Sequence, residues 1–209
     1  MRQGRIADAA NAFGDAVESN EAILKKIESQ NGFANLTATE QESQTDPEKA
    51  ELKRALALSL NGLETLRDIQ GKTDEALGNF ERSRGLRADL YKSSLDEKKG
   101  HSLMRSEARV GNSQAAKELS DKFGRAILPN PEAHLDRACA LAHAARNLQG
   151  DQKAAFVAEA LLSLERAVTE GFMDPFRIAK DLDLLPLHNE PRFVAILQKL
   201  GSAGLKVTN

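Results

Sequence analysis

Apolar residues recur along this chain at spacings of three and four, so the sequence predicts helices from end to end. Residues 5 to 29 put Ile6, Ala9, Ala10, Phe13, Ala16, Val17 and Ile23 on one broad face, the mark of an amphipathic helix. Residues 30 to 47 are polar and lack a period, which predicts a loop or a fraying extension. Asp46 is placed to cap the next helix and Pro47 to occupy its first turn. That helix covers 48 to 69 and ends near Gly71. Asp74 opens another, through "EALGNFERSRGLRADLYKSSL". Gly100 is expected to break the chain before "SLMRSEARV". The turn "GNS" then leads into "QAAKELSDKFGRAIL". Pro129 and Pro131 bracket the start of "EAHLDRACALAHAARN", and "LQGDQ" is a turn before "KAAFVAEALLSLERAVTEG". The tail, "DPFRIAKDLDLLPLHNEPRFVAILQKLG", reads as two short helices separated by a proline-bearing turn. No stretch reads as a strand.

Composition narrows the class. Of 209 residues, 41% are hydrophobic and 29% charged, which fits a globular chain with a substantial core. Aromatics are only 4% and Trp is absent, so Leu, Ala and Ile must build that core. Such a core suits closely packed helices rather than strands, which recruit more aromatic and β-branched residues. The formal net charge of −2 offers no global argument for nucleic acid or an anionic membrane. A lone cysteine, Cys139, excludes an internal disulfide. With no apolar leader and no run long enough to span a bilayer, the sequence points to a cytoplasmic chain without membrane insertion.

The helices recur in pairs around glycine turns. Gly71 is followed five residues on by Ala76 and nine on by Phe80. Gly111 is followed five on by Ala116. Gly4 is followed by Ala9 and Phe13 at the same offsets, and Ala160, Leu164 and Ala167 take the matching places in a fourth unit with a longer turn. Successive units lie about 40 residues apart, except where the polar loop lengthens the first. The segment "LNGLETLRDIQGKTDEALGNFERSRGL" resembles a tetratricopeptide repeat. Leu60 and Leu63 stand at its apolar positions, Gly71 at its turn, Ala76 at its small residue, Phe80 at its aromatic and Leu86 at its late apolar site. Glu64, Arg67 and Ser83 depart from the pattern. The resemblance implies a right-handed α-α superhelix over residues 1–171, with an incomplete first unit, closed by a capping segment at 172–209. It also implies that the chain is the end of something longer.

The closing segment adds a second resemblance. Ala138-Cys139, then Ala167-Val168 with Gly171, then Asp181-Leu182-Asp183 with Leu185, and Pro191-Arg192-Phe193 with Ile196-Leu197 occur in that order. This resembles the C-terminal region of the repeat-bearing serine/threonine kinases of planctomycete bacteria. It implies a family relation and no catalysis in these residues. Phe176, Leu184, Leu185, Leu187, Phe193, Ile196 and Leu197 are expected to cover the last exposed helical face.

The candidate chemistry is sparse. Gly71-Lys72-Thr73 has the tail of a phosphate-binding loop, but Leu66 stands where its first glycine belongs, and a helix precedes it instead of a strand. The glycine-rich, H-R-D and D-F-G motifs of a kinase are missing, so no enzyme is expected. Asp181 and Asp183 read as capping and turn residues. Cys139 and His143, four apart, share a helix face but make an incomplete metal pair, so packing is the favoured role and no metal or cofactor is expected. In the repeat family the leading helix of each pair lines the binding groove. The same phase puts Asn61, Thr65 and Asp68 there from one unit. His101, Arg105 and Arg109 form a basic stripe from the next, and Leu135, Cys139, His143 and nearby Arg146 come from a third. That stripe suits an acidic peptide, so the sequence reading is a protein-binding scaffold. Self-association through an edge at Ile6 and Phe13, and small-molecule sensing near Arg105, Arg109 and His143, are the alternatives. Stacking aromatics are missing from the groove positions, which argues against nucleic acid.

Overall fold

A computed structural model describes residues 2–31, 47–94, 96–124 and 130–204. Among these residues every regular element is helical, so the all-α expectation holds. The elements are α1 (Arg2–Asn31), α2 (Pro47–Ile69), α3 (Thr73–Ser94), α4 (Glu97–Arg109), α5 (Ser113–Phe123), α6 (Pro131–Ala144), α7 (Gly150–Thr169), α8 (Pro175–Lys180) and α9 (Pro191–Gly204). Short 3₁₀ turns cover Ala145–Asn147 and Leu182–Leu187. The polar stretch between α1 and α2, with Asp46, lies outside the described residues, as does Pro129. No helix among the described residues is long and apolar enough to cross a membrane.

Three helices end in the same way. At Gly71, Gly111 and Gly171 the backbone turns left-handed, with φ of 75°, 82° and 109°, a region that favours glycine. The next amide then reaches back five residues: Lys72 to the Arg67 carbonyl, Asn112 to Glu107 and Phe172 to Ala167, each at 2.9 Å. This is the Schellman closure, which satisfies carbonyls that a helix end would otherwise leave open. The turn glycines aligned in the sequence at 71 and 111 are therefore one device used twice. The small residue five positions later is sealed in both units, Ala76 at 1% and Ala116 at 0% exposure. Gly4 differs, since it lies within α1 and not at a turn.

The chain divides into two compact units, Met1–Leu95 and Asp96–Asn209. Within the second unit α8, the second 3₁₀ turn and α9 share the core of α6 and α7. In the first unit α2 packs against both α1 and α3. Val17, Leu56 and Leu60 form its buried centre, with Leu24 and Leu86 against them. Phe13 lies on Gly62, where a Cβ would come within 2.6 Å of the ring. Ser83, at the family's alanine position, is buried and donates to the Ala57 carbonyl at 3.0 Å. Glu64, another polar departure, is also fully buried.

In the second unit α4 packs against α5 and α6, and α6 against α7. Asp96 caps α4 by accepting from the Lys99 amide at 3.1 Å, so the helix starts ahead of Gly100. Gly100 therefore does not break the chain. It sits in the first turn because the Phe123 ring of α5 occupies the space where a side chain would be. Met104, Ala108, Ala116, Ala140 and Ala144 join α4, α5 and α6. A larger core, including Leu135, Cys139, Leu164, Ile178, Leu184, Leu187 and Phe193, joins α6 and α7 to the tail. The tail thus covers α6 and α7, though Phe176 and Leu185 stay exposed. Its proline-bearing turn is the 3₁₀ helix holding Pro186.

Candidate functional site

A buried and highly charged place in the second unit is built around Asp183. Sequence makes its parts adjacent in steps. Arg105 and Arg109 are one turn apart on α4, and Asp136, Cys139 and His143 follow the i, i+3 and i+4 rows of α6. Leu184 and Leu187, both fully buried, pull the 3₁₀ turn onto α6 and carry Asp181 and Asp183 inward. The Asp181 carboxylate caps that turn, accepting from the Asp183 amide at 3.0 Å.

Both oxygens of Asp183 are filled. Arg109 grips them as a fork, Nε to Oδ1 at 3.1 Å and Nη2 to Oδ2 at 2.8 Å. Arg105 donates from Nε and Nη2 to Oδ2, at 3.1 and 2.5 Å. His143 Nδ1 lies 3.1 Å from Oδ1. An ionised carboxylate only accepts, so Nδ1 carries the proton. Arg105 extends the network, from Nη1 to Asp136 at 3.0 Å and from Nη2 to Asp181 at 3.3 Å. Burial alone would push the Asp183 carboxyl up. Arg109, the His143 hydrogen bond and Arg105 outweigh it and hold the group well below the usual carboxylate range.

The basic stripe is therefore turned inward. Arg105 and Arg109 are bonded to the chain's own carboxylates. His101 is buried against Phe123, with ring centroids 5.0 Å apart. Arg146 is exposed in the first 3₁₀ turn, and Leu135 is sealed in the core. On α2, the Thr65 hydroxyl donates to the Asn61 carbonyl at 2.9 Å, and the side chain of Asp68 lies outside the described residues. The structure brings together Arg105, Arg109, His143 and Cys139, and adds Asp136, Asp181 and Asp183. Asp181 caps as its place in the sequence suggests, whereas the buried partner role of Asp183 is one that the spacing pattern misses. A signal for it is present in "KDLDLLPL". A carboxylate set inside an apolar run must find a counter-charge if the run is buried.

Cys139, Asp181 and Asp183 offer ligand atoms within 4.8 Å of one another, a geometry that could hold a metal ion. Two features oppose it. The Arg105 guanidinium is already bonded to both carboxylates, in the position a cation would take. Burial also pushes the Cys139 thiol well up, Arg105 pulls the other way, and Asp181, Asp183 and Asp136 add to the push, so the thiolate a metal needs is disfavoured. The thiol instead lies 3.4 Å from Asp181 Oδ2 as a weak donor.

A second polar fastening ties α6 to its neighbours. Arg137 donates to Ser120 of α5 at 2.7 Å and to Ser163 and Glu159 of α7 at 3.1 and 3.2 Å. Compared with known proteins, the chain matches no family model, no curated protein and no solved structure.

Proposed function

We propose that this chain is a non-catalytic, tetratricopeptide-like helical module whose work is association, first of all with a second copy of itself. The observation that carries this reading is the internal saturation of Arg105 and Arg109 by Asp136, Asp181 and Asp183. An acidic peptide bound there would have to displace carboxylates anchored by the buried Leu184 and Leu187. Each such leucine contributes about 1.5–3 kcal/mol by its burial, so exchange of the segment for a surface ligand is costly.

The remaining means of recognition is apolar surface. Between residues 173 and 185 the tail leaves four large side chains uncovered: Met173, Phe176, Leu182 and Leu185, with Phe176 72% exposed. Single exposed leucines are ordinary, but four in so short a segment are a candidate contact surface. A twofold dimer uses each residue of such a patch twice, so a small patch can offset the cost of association that a one-sided contact would not. Phe13, at the alternative edge for self-association, is partly covered by packing on Gly62 and is the weaker candidate. The kinase-tail resemblance fits this proposal: joined to a kinase, a self-associating module would bring two copies of the enzyme together.

Sedimentation equilibrium tests the reading. The weight-average mass is expected to rise with concentration above the 22.7 kDa of one chain, and Phe176→Glu is expected to return it to one chain. A mass of one chain at every concentration would remove self-association. An unchanged dimer in Phe176→Glu would move the contact elsewhere.

A further inference from the structure

His101 is buried to 5% exposure, yet its Nε2 has no hydrogen-bond partner among the described residues. The ring packs at a tilt against Phe123 of α5, which is itself seated on Gly100. The surrounding charges come from three elements. On α4, Glu97 Oε1 lies 3.6 Å from Nε2, too far for a hydrogen bond and half-exposed. On α6, Asp136 and His134 act on the ring, but Asp136 is bonded to Arg105 and His134 to Glu170 at 3.2 Å. On α5, Lys122 places its ammonium 5.8 Å from the Phe123 ring centroid. A neutral imidazole tolerates this site as an apolar plate. An imidazolium is disfavoured, since it would be a buried cation whose nearest acceptor, Glu97, lies beyond hydrogen-bond distance.

We propose that the contact of His101 and Gly100 with Phe123 is an acid-sensitive joint, at which protonation of the ring loosens α5 from α4 while the Asp183 network keeps α4 on α6 and the tail. Burial is the main cause that lowers the proton affinity of His101 below the ordinary 6.5. Asp136 and Glu97 act the other way, and His134 adds to the lowering. The sign follows. Above 6.5 the ring is neutral whether the joint is closed or open, and closure is fully favoured. As pH falls below 6.5 the open form takes up the proton first, and the advantage of closure is lost as pH passes through the closed-state value. Asp183, held well below 3.8, remains ionised through that window. The Asp183 network therefore still holds α4 on α6 and the tail. The nearby Glu97 gives the charged ring an acceptor once it swings outward.

Hydrogen exchange of the full chain, read segment by segment at pH 7.5 and 5.0 and corrected for intrinsic rates, tests this. In wild type, protection over α5 is expected to fall at the lower pH while protection over α6 is kept. In His101→Phe, which keeps an aromatic plate, α5 protection is expected to be the same at both values. Equal α5 protection at both pH values in wild type, or an equal fall in His101→Phe, overturns the proposal. A His101 ring titration by nuclear magnetic resonance decides the matter if the variant fails to fold. A midpoint below 6.5 supports the joint, and one at or above 6.5 overturns it.

Discussion

Asp183→Ala is expected to destabilise the unit spanning Asp96–Asn209 by about 3–5 kcal/mol, the cost of removing one partner from a buried ion pair. The reason is what stays behind. Arg105 and Arg109 are each less than one-fifth exposed, and both direct donors at Asp183. Without it, Arg109 loses its bidentate acceptor, and Arg105 is left with Asp136 and the longer contact to Asp181. The pair formed by Arg192 with Glu165 on the surface, at 2.8 Å, is the natural control. Its loss is expected to cost no more than about 1 kcal/mol. Cys139, fully buried in the same unit, supplies the readout. Its reaction with a thiol reagent requires the unit to open, so the labelling rate is expected to rise more than about a hundredfold in Asp183→Ala, since about 1.4 kcal/mol is a factor of ten. The effect has a pH limit. Because the Asp183 carboxyl is held below its ordinary 3.8, its contribution is complete above that value and is lost as pH falls through the folded-state value. The difference between wild type and variant should therefore be flat through neutrality and close in strong acid.

Phe193→Ala is expected to cost about 3–5 kcal/mol in the same assay, through a cavity rather than a charge. Phe193 is 2% exposed on α9 and belongs to the core that joins α6 and α7 to the tail. Its ring lies 5.0 Å from that of His188, with 24° between the planes. Removing it leaves a void in the core that it shares with Ile178, Leu184 and Leu187, and the two leucines also seat the Asp181–Asp183 turn. Val194, the next residue, is 43% exposed, and its truncation should be nearly silent. A small effect of Phe193→Ala would mean that the tail is an appendage and not part of the core.

The fold is legible in the sequence wherever information is local. Helical period and the glycines that enter the left-handed region at 71 and 111 are each decided within a turn or two of chain. Gly100 escapes such a reading because its reason is remote. Glycine is the residue of breaks, but here it makes room for Phe123, which no local pattern announces. The candidate site shows the same division. The i, i+4 spacing marks Arg105 and Arg109 as one stripe, and it also joins Cys139 to His143. Whether that stripe faces solvent or protein depends on Asp183, 74 residues further along from Arg109. Spacing on one helix says which residues share a face, and only packing says what the face meets.

The measurement that bears most directly on an inward-turned basic pair is a double-mutant cycle between Arg109 and Asp183, using Arg109→Met and Asp183→Asn. The double variant is expected to be more stable than the sum of the single losses by roughly 1–3 kcal/mol, because removing both charges leaves neither one stranded. Losses that simply add, to within about 0.3–0.5 kcal/mol, would contradict it and would return Arg109 to the surface as a contact for an external partner.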